Sequence, residues 1–282
     1  MRKPDRGAGV RAVRILQCVA ELEDEFTVSV LAQRVGLAPS TVHRLLQSLI
    51  GPGMIERSGA ESYRPGRELF RMASLLTQRF DIRAIARPIL QELWSNWQET
   101  CALCSYDSDS QSARVIDTIA SVHPLQYVIE PAATLSLAWG SLGRSILAWL
   151  PDEAVDIVLA RSKVGPLSGV MAPPRAAILA ELRRIRRQGY ARYEDRAVLN
   201  IAGIAAPVFS GAGAISGSIG VTMPLTRFKR CDSNALSEAV VAAARRVSAA
   251  LGATSKPQDP PERTRKVGLS ATRDGARSKI PA

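Results

Sequence analysis

The chain has 282 residues, 46% of them apolar and 22% charged, enough to bury the cores of about two domains. Collagen-like, mucin-like and largely disordered classes are excluded, and 5% aromatic residues are too few for stacking platforms on single-stranded nucleic acid. Lysine and arginine exceed aspartate and glutamate by 11 charges, which points to a polyanionic partner.

Residues 1–9 are polar and contain glycine, and a flexible arm is expected there. Arg11 and Arg14 interrupt the stretch that a signal peptide would need to be apolar. No apolar run approaches the roughly 20 residues of a membrane span, so a cytoplasmic location is expected. A helical pattern runs from Val10, with Val10, Val13, Leu16 and Ala20 on one face. Leu31 and Val35 form a further i, i+4 pair, and Val42, Leu45, Leu46 and Leu49 follow the i, i+3, i+4, i+7 rule. Gly51, Pro52 and Gly53 end that helix. A short hairpin is expected next: Met54–Arg57, a Ser58–Gly59 turn, and Ser62–Arg64.

Leu69, Phe70, Ala73, Leu76 and Phe80 predict a connecting helix, and Ile82 to Trp97 a second, stronger one. Short β-runs follow at Ala102–Tyr106, Ala113–Ile119 and Gln126–Ile129. Helical patterns cover Leu142–Leu150, Asp152–Ala160 and Arg175–Gln188. Two more β-runs, Ile204–Phe209 and Ser216–Met223, flank the glycine-rich turn SGAGAI, and a last helix spans about Ser233–Leu251. The remainder is a basic tail with seven cations against three carboxylates, expected to be disordered.

The segment LAQRVGLAPSTVHRL carries the chemistry. Two short helices locked at a steep angle need apolar residues at five fixed offsets, and Leu31, Val35, Leu37, Val42 and Leu45 fill all five. Ala32 is small where the helices touch, Gly36 suits a turn with positive φ, and Pro39 suits a first helical turn. Burying the leucines leaves Ser40, Thr41, His43, Arg44, Gln47 and Ser48 outward. That face carries short hydroxyls and a long cation and no carboxylate, as a major-groove reader needs. The bland alternative is a solvated helix in an all-α domain. The hairpin after it is expected to act as a wing, with Arg57 and Arg64 reaching phosphates or a minor groove; solvated strand charges are the alternative for both. Tyr63 is expected to pack.

Other motifs carry less. Cys101 and Cys104 form a lone CxxC, read as a redox pair or, preferably, as two small apolar residues in a strand. His123 has no ligand-spaced partner and is read as a loop residue. No metal or cofactor is expected. Glu194 and Asp195 are adjacent and would diverge in a strand, and GAGAISG lacks the spacing of a dinucleotide fingerprint. The run Arg183, Arg184, Arg186 and Arg187 is either a second nucleic-acid patch or a solvated helix face, with Leu179, Leu182 and Ile185 inward.

The runs RAVRILQCVAEL, VSVLAQRVGLAPSTVHRLLQSLIGPGMIERSG and YRPGRELFRMASLL, then SLGRSILAWLP and RRQGYARYEDRAVLNIAGIAAPVFSGAGAISGSIGVTMPLTRF, resemble the IclR family of bacterial transcription regulators over residues 10–252. The resemblance implies an α+β protein: an N-terminal winged helix-turn-helix (10–66), a linker helix (67–80) and a C-terminal effector-binding domain (81–252) of GAF/profilin-like α/β fold with a mainly antiparallel sheet. The arm (1–9) and basic tail (253–282) flank them. It also implies a homodimer or homotetramer on duplex DNA. The family's polar ligand contacts fall on Ser141, Leu142, Tyr193, Gly203, Gly220 and Thr222, and its apolar wall on Tyr127, Leu135 and Ile201. Ser141 and Leu142 sit just before an expected helix N-terminus, which favours a small carboxylate as effector. The chain departs from the family in carrying Gly143–Arg144 where Gly-Lys is common, Ala138–Trp139 where a polar residue is frequent, and Pro65 before the linker.

The function expected is therefore a ligand-responsive transcriptional regulator, repressor or activator, on a pseudo-palindromic operator. A nonspecific nucleoid-type DNA binder and a metabolic enzyme with an N-terminal interaction domain are the rivals. No Ser-His-Asp arrangement or GxSxG elbow favours the enzyme.

Overall fold

The computed structural model describes residues 7–22, 25–78 and 81–253, so most of the expected arm and all of the tail beyond Ala253 lie outside the described residues. The chain divides into two compact units that meet between Ile82 and Arg83.

In the first unit, α1 (Ala8–Ala20) begins inside the expected arm, because Gly7 is extended and acts as its N-cap. Its buried side is Ile15 and Val19, with Ala12, Leu16 and Cys18 packed beside them. Of the expected stripe, Val10, Val13 and Ala20 are exposed and Leu16 alone packs against this core. Both stripes satisfy helical spacing, and the one that reaches the core residues of the next two helices is the one buried. Those helices are α2 (Val28–Val35) and α3 (Pro39–Ile50). Thr27 caps α2 by accepting a hydrogen bond from the Val30 N–H. Gly36 ends it at φ 68°, the left-handed conformation that glycine adopts without a Cβ clash.

A three-stranded antiparallel sheet completes this unit, in the order β1 (Phe26–Thr27), β3 (Ser62–Pro65), β2 (Ile55–Arg57). The two-residue β1 is too short for periodicity to reveal. It places the Phe26 ring on Tyr63, centroids 6.3 Å apart, over the helical core. Pro65 lies past the end of β1 and pairs only with Ile55, so its missing N–H costs no ladder bond on that side. Helix α4 (Arg67–Gln78) follows; Phe70, Met72, Leu75 and Leu76 on it are exposed.

The second unit starts with α5 (Ile82–Trp97), which buries Ala86, Ile89, Leu90 and Leu93. A six-stranded sheet runs β6 (Thr134–Ser136), β5 (Ser112–Ile119), β4 (Thr100–Asp107), β9 (Ile215–Pro224), β8 (Ile201–Phe209), β7 (Ala191–Asp195), with every pairing antiparallel. The strand expected at Gln126–Ile129 is irregular chain. Its Tyr127 carbonyl accepts from Thr100 Oγ1 at 2.7 Å and joins no ladder. Strands β6 and β7 were not anticipated: β6 is three residues long, and β7 alternates charged residues. On β7, Glu194 pairs with Arg192 and Arg196, while buried Asp195 caps the next turn through the Val198 and Leu199 N–H groups.

Helix α6 (Gly140–Leu147) packs on β7, β8 and β9, starting two residues earlier than expected. Helices α7 (Asp152–Arg161) and α8 (Arg175–Gln188) join α6 in one apolar core with Ala102, Cys104, Val115 and Ala205. A short α9 (Leu225–Phe228) leads to α10 (Ser233–Ala250), which packs along β8 and β9. Strand alternation turns Cys101 away from Cys104. Burial pushes both thiols up to about 12, so they stay protonated, small and apolar. Ion pairs tie helices into this unit, those at Asp117 and Arg144 among them. Asp117 on β5 accepts from Arg87 at 2.7 Å and lies 3.4 Å from Arg83. Buried Arg144 on α6 meets Glu181 on α8 at 2.6 Å. No helix among the described residues is long and apolar enough to cross a membrane.

Candidate functional site

The first site is the outer face of α3. Val42, Leu45, Leu46 and Leu49 are buried beneath it, and Ser40, His43, Arg44, Gln47 and Ser48 are exposed, with Thr41 half-buried. Pro39 opens the helix, and no side chain caps its first turn. Pro39 has no N–H, and those of Thr41 and Val42 donate to the Ala38 carbonyl oxygen, so the Ser40 N–H and the hydroxyls of Ser40 and Thr41 are the donors for a phosphate. Gln47 Nε2 lies 3.5 Å from His43 Nε2, so these two side chains hold one another one turn apart. Arg44 has no carboxylate partner among the described residues and can donate to a base edge or a phosphate.

The wing strands differ in what they leave available. The Arg57 guanidinium stands over the Tyr63 ring at 5.8 Å and is exposed. Arg64 is already engaged: it reaches Glu56 at 3.1 Å across the hairpin. The Glu56 carboxylate also accepts from the Arg67 backbone N–H at 3.1 Å, which joins the wing to the start of α4. Nothing in the sequence marked this pair, because its members are eight residues apart on two strands.

The second site is a cavity of about 360 Å³ in the second unit, within the range of small-molecule pockets. Eight of the nine expected effector positions line it: Tyr127, Leu135, Ser141, Leu142, Tyr193, Ile201, Gly203 and Thr222. Gly220 does not. A Cβ there would stand 2.5 Å from the Ile204 carbonyl oxygen, so its neighbour is the adjacent strand and its glycine serves sheet packing. The first turn of α6 forms part of the wall through Gly140, Ser141 and Leu142. No side chain caps that turn, so its N–H groups are available to a ligand. Ser141 and Thr222 are buried, with their hydroxyls on either side of Gly203. Burial raises the pKa of Tyr193, with Asp195 adding to it, and burial alone raises that of Tyr127, so both phenols remain neutral donors. Among the lining residues the charged one is Glu130, which is exposed.

Two features of this cavity escaped sequence reasoning. The loop 165–168 contributes Gly165, Pro166, Leu167 and Ser168. Trp139, the N-cap of α6, lines it as well, and its indole Nε1 is buried with no hydrogen-bond partner among the described residues. An unpaired buried donor beside a cavity calls for an acceptor from a ligand or water. The Trp139 in place of a more usual polar residue was the available signal. Among the described residues no cluster of histidine, cysteine and carboxylate can hold a metal ion.

Comparison with known families identifies the two parts of the chain. Residues 10–59 match the IclR helix-turn-helix domain, and residues 74–249 match the bacterial transcriptional regulator IclR C-terminal domain. The chain belongs to the IclR family. It is 30% identical to the HTH-type transcriptional regulator BhcR of Paracoccus denitrificans, over 84% of this chain and 85% of that protein. It is 25% identical to the transcriptional repressor IclR of Escherichia coli, over 86% of this chain and 89% of the relative. Among solved structures it resembles an IclR regulator from Silicibacter sp., with a TM-score of 0.71 and 25% identity, covering 90% of this chain and 99% of that one. This IclR-family chain is thus a DNA-binding transcriptional regulator with a C-terminal effector domain, and its relatives are regulators rather than enzymes.

Proposed function

We propose that this regulator binds a pseudo-palindromic operator in the cytoplasm as a homo-oligomer, and that a small carboxylate in the second unit's cavity sets its affinity for DNA. Two-fold related copies of α3 would enter successive major grooves, with Ser40, Thr41, His43, Arg44 and Gln47 facing the bases and phosphates. Arg57 reaches the backbone from the wing, and Arg64 does so only by sharing or leaving Glu56. The exposed apolar residues Phe70, Met72, Leu75 and Leu76 on α4 support the oligomer, because such a row on one helix is costly in water. On this reading α4 is the linker between the two functions.

The observation that carries the effector reading is the uncapped first turn of α6 opening into an apolar cavity, with the Ser141 and Thr222 hydroxyls at the same end. Among the described residues no cation lines the cavity, so main-chain N–H groups, hydroxyls and the Trp139 indole would hold the anion. An effector alters DNA affinity only by binding the DNA-competent and incompetent states unequally. The experiment pairs footprinting with a screen. A discrete protected operator is expected, and uniform protection would instead favour the nonspecific binder. Small aliphatic and aromatic carboxylates are then tested for raised melting temperature and shifted operator affinity, each against its neutral amide. Carboxylates are expected to act and amides not; equal effects from both would remove the anionic effector.

A further inference from the structure

A second cavity, of about 530 Å³, lies where α8 ends, beside β8 and α10. It shares no lining residue with the first. Strand β7 pairs with β8 only as far as Ala205, so Ala206, Pro207 and Phe209 run past its end and border this space. Trp149 and Phe209 form an aromatic floor, their rings edge to face at 5.0 Å. Val241, Ala244 and Ala249 of α10 extend the apolar side.

The polar side is of one sign. Arg186, Arg187 and Arg245 all line the cavity, and among the described residues no carboxylate does. Arg186 donates to the Ala148 carbonyl oxygen, which accounts for one cation as a partner of a helix end. Arg187 and Arg245 are exposed and have no carboxylate partner among the described residues. Trp149 Nε1 is buried and has no hydrogen-bond partner among the described residues. Grouped cations repel one another, and a buried donor without an acceptor is costly. One acceptor-rich anion relieves both.

We propose that this cavity binds a small organic anion with an apolar body. Its oxyanion is held by Arg187 and Arg245 with Arg186 alongside, its body rests on Trp149 and Phe209, and the Trp149 indole donates to one of its oxygens. Guanidinium groups suit a carboxylate or phosphate because their N–H groups pair with two oxygens at once. A duplex backbone could meet the exposed arginines but would not reach a buried indole, which favours a small ligand over a second DNA surface.

Phenyl phosphate is the probe, titrated calorimetrically into the full chain and followed in parallel by tryptophan fluorescence. Saturable binding is expected. Arg187→Ala/Arg245→Ala should weaken it about tenfold or more, from the loss of charge-assisted bonds. Trp149→Phe, which keeps the ring and removes the donor, should weaken it severalfold. Thr222→Val in the first cavity should leave it unchanged, which separates this site from the effector reading. The proposal is overturned if the wild type shows no saturable binding at millimolar probe, or if Thr222→Val abolishes binding while the double variant keeps it. It is equally overturned if the double variant changes only the oligomeric state or the affinity for duplex DNA.

Discussion

A Cβ placed on Gly203 would stand 2.7 Å from the Ser141 hydroxyl oxygen and 3.3 Å from that of Thr222. Strand β8 thus supplies bare backbone at the point where α6 and β9 bring their hydroxyls together. The space between them exists because residue 203 has no side chain. Gly203→Ala should fill it and displace Ser141. The nearest atom is a side-chain hydroxyl that can rotate, and the Val221 carbonyl oxygen at 3.1 Å must give only slightly, so the fold is expected to survive with a loss of about 1 kcal/mol, the low end of overpacking. Response of operator binding to the effector should fall about tenfold or more, while affinity for DNA without effector stays the same. Gel-shift titrations with and without effector measure both, and an unchanged response would remove Gly203 from the site.

Arg44 is exposed at the middle of α3 with no competing carboxylate among the described residues. Arg44→Ala should weaken operator binding by about 1–3 kcal/mol if it pairs with a base, and the loss should be confined to specific DNA. The oligomer should be unaffected. Gel shifts at fixed salt on operator and scrambled duplex check this, and equal losses on both would make Arg44 a phosphate contact.

The Arg144–Glu181 pair joins α6 to α8. Burial lowers the Arg144 pKa and Glu181 raises it again, so the carboxylate is what keeps a buried guanidinium tolerable. Glu181→Gln should cost about 3 kcal/mol, because it leaves that charge without its partner. Glu181→Gln combined with Arg144→Met should recover much of the loss. Denaturant unfolding of the three proteins decides; a double variant no better than the single would show that the pair is not the source of the cost.

Glu56 gives the wing a pH dependence. The Arg67 backbone N–H first, and the Arg64 side chain second, hold its carboxyl below its ordinary value of 4.5. A depressed folded pKa contributes stability that is present above 4.5 and is lost as pH falls through the lower folded value. Glu56→Gln should therefore melt below the wild type at neutral pH, and the gap should close in acid. A gap that persists well below 4.5 would place the effect in packing rather than in charge.

Much of the outer face of α3 was legible in the amino-acid sequence because its determinants are local. Leucine spacing, Gly36, Pro39 and the polar residues of α3 all act within one turn or two of chain, and the burial of Val42, Leu45, Leu46 and Leu49 follows from them. The cavity was harder. Its positions came from likeness to a family, and eight line it while Gly220 packs against the next strand. Trp139 and the 165–168 loop carried no periodic signal.

Local chemistry by itself determined which segments become helices, which side of α3 is exposed and which turn needs glycine. It could not choose between two apolar stripes on α1, pair a two-residue strand at Phe26, or withhold a ladder from Gln126–Ile129. Those outcomes depend on which distant segments arrive to share a core or a hydrogen bond. The Arg64–Glu56 clasp and the arginine-lined space beside Trp149 have the same origin, since each joins groups that meet only after the chain has closed. Burial and strand pairing are properties of neighbours in space, and only the tertiary structure supplies them.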